Sequence, residues 1–276
     1  MDLKQALKGK LSGKQLALLN KSFDTVGQVA IIEIPEELQK KKKLIAETLL
    51  KMHSHIRTVA EKVSGASGKY RIKKLKVIAG EKSLVAEYRE SGCSFKVSLG
   101  KVYFSPRFGT ERLRLAGKVK AGENAGVFFA GCGPYCIVIA RHSKAAGIVG
   151  FEWNPVAVKD FEENIKKNKM QERVQAIKGD VKEKAKKFAE KFDRIIMPSP
   201  SNAIEYFATA LKCCRKNAII HYYCFSETAE PFRQRIAEVQ KIAEKNGKGL
   251  KLLDSKVVRP YSKEVCQIVL DLQAKG

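Results

Sequence analysis

Apolar and polar positions alternate in two different ways along the chain, and the change of pattern separates two regions. From residue 103 onward, short apolar runs such as 125–129 alternate with segments of helical length and amphipathic character. This order of strands and helices predicts a doubly wound, mainly parallel sheet. Residues 57–102 instead contain short strand-like runs divided by glycine-containing turns, which predicts a smaller mixed α/β region.

These patterns predict three segments. Residues 1–20 are rich in lysine and carry leucines at helix-like spacing, which favours a short helix or a loosely held tail. Residues 21–102 are expected to form a small α/β domain, in which a strand ends at Pro35 and a helix follows. Residues 103–276 are expected to form the larger sheet-and-helix domain.

A glycine-containing turn follows the first strand of the larger domain. Residues 130–134 read Ala-Gly-Cys-Gly-Pro and lie between the apolar runs 125–129 and 135–140. Glycine permits a sharp turn and a close approach of the backbone to a ligand, and the start of the next helix offers free N–H groups. The turn alone also fits an ordinary α/β protein, so the neighbouring polar residues must decide between the two interpretations.

Acidic residues follow the next two predicted strands. Glu152 ends the run 148–152, about 20 residues after Gly131, and Asp180 follows the run 174–178. In such sheets the carboxyl ends of the parallel strands share one edge, where an acid at this spacing commonly meets ribose hydroxyls. The combination predicts a nucleotide-like ligand.

Charged residues also crowd the start of a helix predicted from Thr110. Arg107, Glu111 and Arg112 lie at or before its first turn, which allows either a capping ion pair or a catalytic base beside cations. The alternating run 70–77 places Arg71 on or near an exposed basic strand face beside an aromatic side chain, a surface that could bind phosphates or stack a base.

The charge of the whole chain points to a polyanionic partner. The chain has 53 Lys and Arg residues against 29 Asp and Glu residues, a net charge of +24. RNA is favoured over an anionic membrane because no amphipathic anchor helix is evident, although adaptation to a hot or salty cytoplasm or lysine-biased coding would also raise the charge. The apolar runs are too short to span a membrane and the N-terminus lacks a secretory pattern, so we expect a soluble cytoplasmic protein.

Cysteine and histidine usage argues against a metal centre. The seven cysteines contain no C-x-x-C pair, and only four histidines are present. We therefore expect reduced, mostly buried thiols, with neither a zinc site nor a disulfide framework.

Four motifs together resemble a known family. They are Val-Tyr-Phe-Ser-Pro-Arg-Phe-Gly-Thr-Glu-Arg at 102–112, Phe-Ala-Gly-Cys-Gly-Pro-Tyr at 129–135, Asn-Pro-Val-Ala-Val at 154–158 and His-Tyr-Tyr at 221–223. In combination they resemble the archaeal and eukaryotic tRNA guanine-37 N1-methyltransferases over about residues 20–276. Relatives in this family include the enzyme that transfers an aminocarboxypropyl group in wybutosine formation.

The resemblance implies a class I, Rossmann-like, S-adenosylmethionine-dependent methyltransferase domain, preceded by a small α/β domain that helps to hold the tRNA anticodon stem-loop. It also implies that Glu111 accepts the guanine N1 proton and that Arg71 stabilises charge on O6. The substrate-binding residues that it implies are Tyr103, Arg107, Arg112 and Pro200. The cofactor-binding residues are Phe129, Gly131, Gly133, Pro134, Tyr135, Glu152 and Asp180. A sulfonium donor needs no metal, and we expect a monomer that forms N1-methylguanosine at position 37.

The sequence departs from the family pattern in three places. Val127 stands where the family usually has an acid, and Pro198 stands where it has a base-binding asparagine, with Ser199 and Ser201 nearby. We also expect no room before Phe23 for the N-terminal domain that many archaeal members have. The altered segment at 198–201 leaves aminocarboxypropyl transfer as an alternative, and loss of both contacts leaves a noncatalytic tRNA-binding protein as another.

Overall fold

The computed structural model describes residues 2–68, 70 and 72–275, and these form two compact units. The first unit extends to Arg107 and the second begins at Phe108. Arg71, the predicted catalytic cation, lies outside the described residues. The division into three segments stays a prediction, because compactness alone does not show that a segment folds independently.

The first unit combines short helices with a four-stranded sheet. The sheet order is β1-β2-β3-β4, with β2 and β3 parallel and the other neighbours antiparallel. A separate antiparallel hairpin, β5-β6, follows. The elements are α1 (Leu3–Ala6), α2 (Gly13–Leu18), β1 (Asp24–Val26), β2 (Val29–Ile32), α3 (Lys42–Met52), β3 (Thr58–Ser67), β4 (Ile72–Gly80), β5 (Val85–Glu90) and β6 (Cys93–Ser98).

Leucines anchor the N-terminal segment to the core of this unit. Two short helices lie where the sequence predicts one short helix or a tail, and their N-caps, Asp2 and Ser12, both form capping boxes. The buried residues are Leu3, Leu7, Leu11 and Leu19, which share a cluster with buried side chains of α3. Removal of these side chains from water stabilises the segment, while its lysines remain at the surface.

The second unit alternates strands and helices along most of its length. The helices are α4 (Gly109–Ala116), α5 (Pro134–His142), α6 (Pro155–Lys167), α7 (Val181–Lys184), α8 (Phe207–Cys213) and α9 (Arg233–Lys245). The strands are β7 (Asn124–Phe128), β8 (Gly147–Glu152), β9 (Val174–Lys178), β10 (Phe192–Met197), β11 (Cys214–Glu227), β12 (Gly249–Pro260) and β13 (Val265–Lys275).

These strands form one sheet with the order β12-β13-β11-β10-β7-β8-β9. The strands from β7 to β11 pair in parallel, whereas β13 runs antiparallel to both β11 and β12. The chain proceeds outward from β7 through β8 to β9, and then crosses back to β10 on the other side of β7. The carboxyl ends of β7 and β10 therefore form a topological switch point, where α/β sheets bind their ligands. The prediction of an α/β fold is confirmed.

The helix predicted to follow Pro35 begins as a 3₁₀ turn, Glu36–Lys41, before α3. In the second unit, 3₁₀ turns likewise replace part of two predicted helices. The pattern predicts one helix over 181–191, but α7 ends at Lys184 and a 3₁₀ turn, Ala185–Phe188, follows. In the segment 202–212, a 3₁₀ turn, Ala203–Tyr206, precedes α8. Short 3₁₀ turns of this kind commonly bring the chain into or out of a helix.

All seven cysteines are free thiols and are buried. Burial raises the pKa of the Cys213 thiol to about 11 and that of Cys224 to about 12. The thiols therefore pack as small apolar groups, as predicted. Among the residues that the structure describes, no helix has the length and apolar character needed to span a membrane.

Candidate active site

The turn after β7 contains three residues with positive φ. Phe129 has φ of +58°, Gly131 of +58° and Gly133 of +85°. A Cβ atom on Gly133 would lie 2.0 Å from the ring of Phe161 on α6, so this position requires glycine for two independent reasons. Phe129 is not a glycine and adopts this conformation at a cost of about 1 kcal/mol. The turn is thus a tightly determined loop at the switch point of the sheet.

Helix α5 begins directly after this turn. Gly133 is its N-cap and Pro134 its first helical residue, a position that suits proline because no intrahelical N–H bond is needed there. Among the described residues, no side chain caps this helix. The first-turn N–H groups, together with the positive end of the helix dipole, are therefore suited to a negatively charged or carbonyl group of a ligand.

Glu152 holds the glycine turn through its side chain. Its Oε2 accepts a hydrogen bond from the Gly131 N–H at 2.7 Å, and its Oε1 accepts one from the Asn154 N–H at 2.7 Å. Burial raises the pKa of Glu152, and these backbone N–H groups oppose the rise. The Trp153 N–H also stabilises the charged carboxylate. A carboxylate offers about four acceptor positions, so the side chain can organise the loop and still accept a hydrogen bond from a hydroxyl group.

An aromatic and charged cluster lies at the ends of β7 and β9. The Phe129 and Tyr206 rings meet edge to face at 4.9 Å, and the Lys182 ammonium lies 4.8 Å from the centre of the Tyr206 ring. Burial and the charge of Asp180 raise the pKa of Tyr206. Asp180 itself caps α7, since its Oδ1 accepts the Lys182 N–H at 2.8 Å. The structure thus brings Phe129 and Asp180 to one region through Tyr206.

Glu111 lies in the first turn of α4 and is only 6% exposed. Its Oε2 accepts from Arg114 Nε at 2.7 Å, and its Oε1 accepts from Arg114 Nη2 at 2.6 Å and from the Tyr223 hydroxyl at 2.6 Å. The hydrogen bonds to Glu111 raise the pKa of Arg114. The sequence left an ion pair at this helix start open as one of two alternatives, and the structure pairs Glu111 with Arg114.

Neither of these two partners of Glu111 is among the site residues predicted from the sequence. Arg114 is three residues after Glu111, a spacing that places two side chains on one helix face, so the sequence did contain a signal for it. Tyr223 belongs to the His-Tyr-Tyr motif at 221–223. It is so far from Glu111 along the chain that no sequence pattern indicates their contact.

Arg112 and Tyr135 connect Glu111 to the start of α5. Arg112 is buried, and its guanidinium carbon lies 5.9 Å from the centre of the Tyr135 ring. The Tyr135 and Tyr223 rings are 6.1 Å apart, and Tyr223 in turn contacts Glu111. Burial raises the pKa of Tyr135, so its hydroxyl is protonated at neutral pH. One cluster of side chains therefore links the predicted base to the helix that follows the glycine turn.

A buried chain of charged groups lies beneath this cluster. His221 Nδ1 and Asp271 Oδ1 are 2.6 Å apart, and His221 Nε2 is 2.6 Å from Arg194 Nη1. Arg194 forms two hydrogen bonds to Glu123, and Asp271 lies 3.7 Å from Arg114. Burial lowers the pKa of His221, which accords with a neutral ring that donates to Asp271 and accepts from Arg194.

Two predicted substrate-binding residues lie in the first unit. Tyr103 is 49% exposed. Arg107 donates to Asp24 Oδ1 from Nε at 3.1 Å and from Nη2 at 2.5 Å. This pair holds the guanidinium against β1, although most of the Arg107 side chain faces solvent.

The remaining predicted residue, Pro200, follows β10. Its carbonyl accepts the Phe225 N–H at 3.4 Å, which ties the segment to β11. The Ser199 hydroxyl donates to Asn202 Oδ1 at 2.8 Å. Asn202, which the sequence analysis did not single out, thus has its amide held beside the altered motif. Val127 is fully buried within β7 and contributes to packing.

Comparison with known families covers nearly the whole chain. Residues 86–253 match a family model described as the TRM5/TYW2 methyltransferase domain, and residues 3–83 match one described as the TYW2 N-terminal domain. The tRNA (guanine(37)-N(1))-methyltransferase Trm5b of Pyrococcus abyssi is 38% identical over 252 residues. That alignment covers 91% of this chain and 74% of the relative.

Solved structures agree with this result. A structure described as the complex of aTrm5 and tRNALeu has a TM-score of 0.86 at 28% identity and aligns with 99% of this chain and 78% of its own. P. horikoshii TYW2 in complex with MeSAdo has a TM-score of 0.86 at 26% identity, with 99% of this chain and 98% of that chain covered. The prediction of a class I, Rossmann-like methyltransferase fold is confirmed.

Proposed function

The chain belongs to the TRM5/TYW2 methyltransferase family, and on this premise we propose that it is an S-adenosylmethionine-dependent tRNA methyltransferase. The reaction forms N1-methylguanosine at position 37, beside the anticodon, as the name of the P. abyssi relative indicates for that protein. The net charge of +24 suits a tRNA substrate, because long-range attraction brings a polyanion to a basic protein.

The residues at the strand ends fit the proposed cofactor. Gly131, Gly133, Pro134 and Tyr135 form the turn and helix start assigned to its methionine part. Glu152 is assigned to the ribose hydroxyls and Asp180 to the adenine amino group, with Phe129 beside them. The fit is supported by the acceptor capacity that remains on the Glu152 carboxylate and by the close approach that the glycine backbone permits.

The proposed base and cation address the weakness of guanine N1 as a nucleophile. The bound sulfonium supplies an activated methyl group. Glu111 accepts the N1 proton, and Arg71 stabilises the charge that develops on O6. The target nucleotide is assigned to Tyr103, Arg107, Arg112 and Pro200.

One observation carries this proposal. The Glu111 carboxylate accepts from Tyr223, and the Tyr223 ring packs against Tyr135 in the first turn after the glycine loop. A base therefore adjoins the loop assigned to the methyl donor, as transfer of a proton and a methyl group at one nitrogen requires.

The test is a single-turnover assay with labelled S-adenosylmethionine and a tRNA transcript carrying guanine at position 37. We expect N1-methylguanosine in the digested product, and no product from a matched transcript with adenine there. Glu111→Gln should slow transfer by at least about a hundredfold, because it removes the general base. Absence of methyl transfer by the wild-type protein to any tRNA, despite cofactor binding, would support a noncatalytic tRNA-binding protein instead.

Aminocarboxypropyl transfer from the same cofactor is the second candidate. The match of residues 3–83 to the TYW2 N-terminal domain favours it, as does the Pro-Ser-Pro sequence at 198–200. Mass spectrometry of the product nucleoside distinguishes the two reactions, since the added groups differ in mass. The expectations of a monomer and of a cytoplasmic location stay predictions.

A further inference from the structure

We propose that Arg114 and Tyr223 position the Glu111 carboxylate so that Oε2, and not Oε1, accepts the proton from the target base. This inference rests on the proposed function and deepens it. Arg114 and Tyr223 are positioning residues in this scheme, because they act through Glu111 and need not touch the substrate.

The hydrogen bonds of the carboxylate identify the acceptor atom. A carboxylate oxygen accepts about two hydrogen bonds in its plane. Oε1 already accepts from Arg114 Nη2 and the Tyr223 hydroxyl, both at 2.6 Å, whereas Oε2 accepts only from Arg114 Nε at 2.7 Å among the described residues. A free acceptor position therefore remains on Oε2.

The surroundings hold both donors in place. The Arg114 Nη1 atom lies 3.7 Å from Asp271 Oδ2, so the guanidinium is held between two carboxylates. Asp271 is fixed in turn by Lys118 at 2.6 Å and by His221. Burial raises the pKa of Tyr223, so its hydroxyl stays protonated and donates a hydrogen bond to Glu111.

Among the described residues, Arg114 and Tyr223 contact Glu111 directly, Asp271 lies beside Arg114, and Tyr135 and Arg112 lie beside Tyr223 and each other. In the reaction, N1 forms a bond to the methyl carbon while the carbon–sulfur bond breaks and its electron pair remains on sulfur. The N1 proton passes to Oε2. The sulfonium thereby becomes a neutral thioether, and Glu111 becomes a neutral acid.

The test measures single-turnover methyl transfer at saturating tRNA and cofactor between pH 5.5 and 8.5. Tyr223→Phe and Arg114→Gln each remove donors that stabilise the charged carboxylate, so protonation should inactivate the enzyme at a higher pH. We expect the acidic limb of the pH–rate profile to move up by about one pH unit or more in Arg114→Gln and by less in Tyr223→Phe. Arg114→Lys keeps the charge but not the two-point contact with Glu111. Its acidic limb should therefore lie between those of wild type and Arg114→Gln.

A matched control is Arg215→Gln, which breaks an exposed ion pair with Asp193 in the same unit. This variant should have the same pH–rate profile as wild type. The inference would be overturned if the transfer rates of Arg114→Gln and Tyr223→Phe fell by the same fraction at every pH, or if the pH–rate profile of Tyr223→Phe matched that of wild type. Either result would leave the proposed function intact. A wild-type protein that transfers no methyl group would overturn both. If Arg114→Gln does not fold by circular dichroism, Tyr223→Phe decides, because it removes only one hydroxyl group.

Discussion

Single residues in this site combine structural and chemical tasks. Glu152 is the clearest case, because its carboxylate accepts two backbone N–H groups, from Gly131 and Asn154, and is also the residue assigned to the ribose. Hydrogen bonds between an ion and backbone amides are among the stronger ones in proteins. A change at this position should therefore affect both stability and cofactor affinity.

We predict that Glu152→Gln lowers the free energy of unfolding by about 1–3 kcal/mol, because an amide offers only one acceptor to two N–H groups. S-adenosylmethionine binding, measured by calorimetry, should weaken by at least about tenfold through loss of charge-assisted bonds. Glu162→Gln on the exposed face of α6 is the control and should alter neither quantity. Unchanged cofactor affinity in Glu152→Gln would remove this residue from the binding site.

At the scale of elements, the strand–turn–helix unit β7-α5 depends on one close packing contact. Gly133 approaches α6 so closely that the Phe161 ring occupies the space of a Cβ atom. Gly122 has a similar φ of +77°, but a Cβ atom at that position would have no other atom within 4 Å. The two glycines therefore separate the effect of backbone strain from that of packing.

We predict that Gly122→Ala costs about 1 kcal/mol, from the left-handed backbone alone. Gly133→Ala should cost about 1–3 kcal/mol more, because overpacking adds to the same strain. Urea unfolding of both variants measures the difference, and Phe161→Leu should restore part of the loss in a Gly133→Ala background. An equal decrease in the free energy of unfolding in Gly122→Ala and Gly133→Ala would contradict a packing role for Gly133.

The sequence predicted the elements that depend on local pattern and missed those that depend on distant contacts. The run 174–178 became β9, and the order of strand, glycine turn and helix at 125–140 was correct to within a few residues. The predicted helix 181–191 ended early, and Phe188 at the end of the 3₁₀ turn meets Phe151 on β8 at 5.4 Å, a contact between distant residues that the local pattern does not encode. In the candidate site, the positions of Glu152 and Asp180 after predicted strands indicated a ligand-binding edge. Nothing in the sequence indicated that Tyr223 contacts Glu111.

At the scale of the second unit as a whole, buried charges link strands that are far apart in sequence. Arg194 on β10 connects Glu123 to His221 on β11, and His221 connects to Asp271 on β13. Breaking such a network on one side leaves a buried charge without compensation, which is strongly destabilising. The network should therefore make the stability of the unit depend on pH.

We predict that the unfolding free energy falls as the pH is lowered from about 7 to 5. The pKa of His221 is lowered in the folded protein by burial, so the unfolded state binds a proton first as the pH drops below about 6.5. The contribution of this histidine is full above that pH and is lost as the pH falls, by up to about 1.4 kcal/mol per pH unit. Urea titrations of wild type and His221→Gln measure it, and equal slopes in the two proteins would contradict a neutral buried His221.

The buried cysteines give the molecule a set of internal reporters. Cys93 lies on β6, Cys136 on α5, Cys214 and Cys224 on β11 and Cys266 on β13, and all are shielded from solvent. Thiolates react with alkylating reagents, whereas buried protonated thiols do not, so each cysteine becomes modifiable only while its own element is open. Pulsed alkylation followed by peptide mass spectrometry would therefore rank the opening free energies of these elements with no engineered label. A change in that ranking on cofactor binding would show which elements the ligand stabilises against opening.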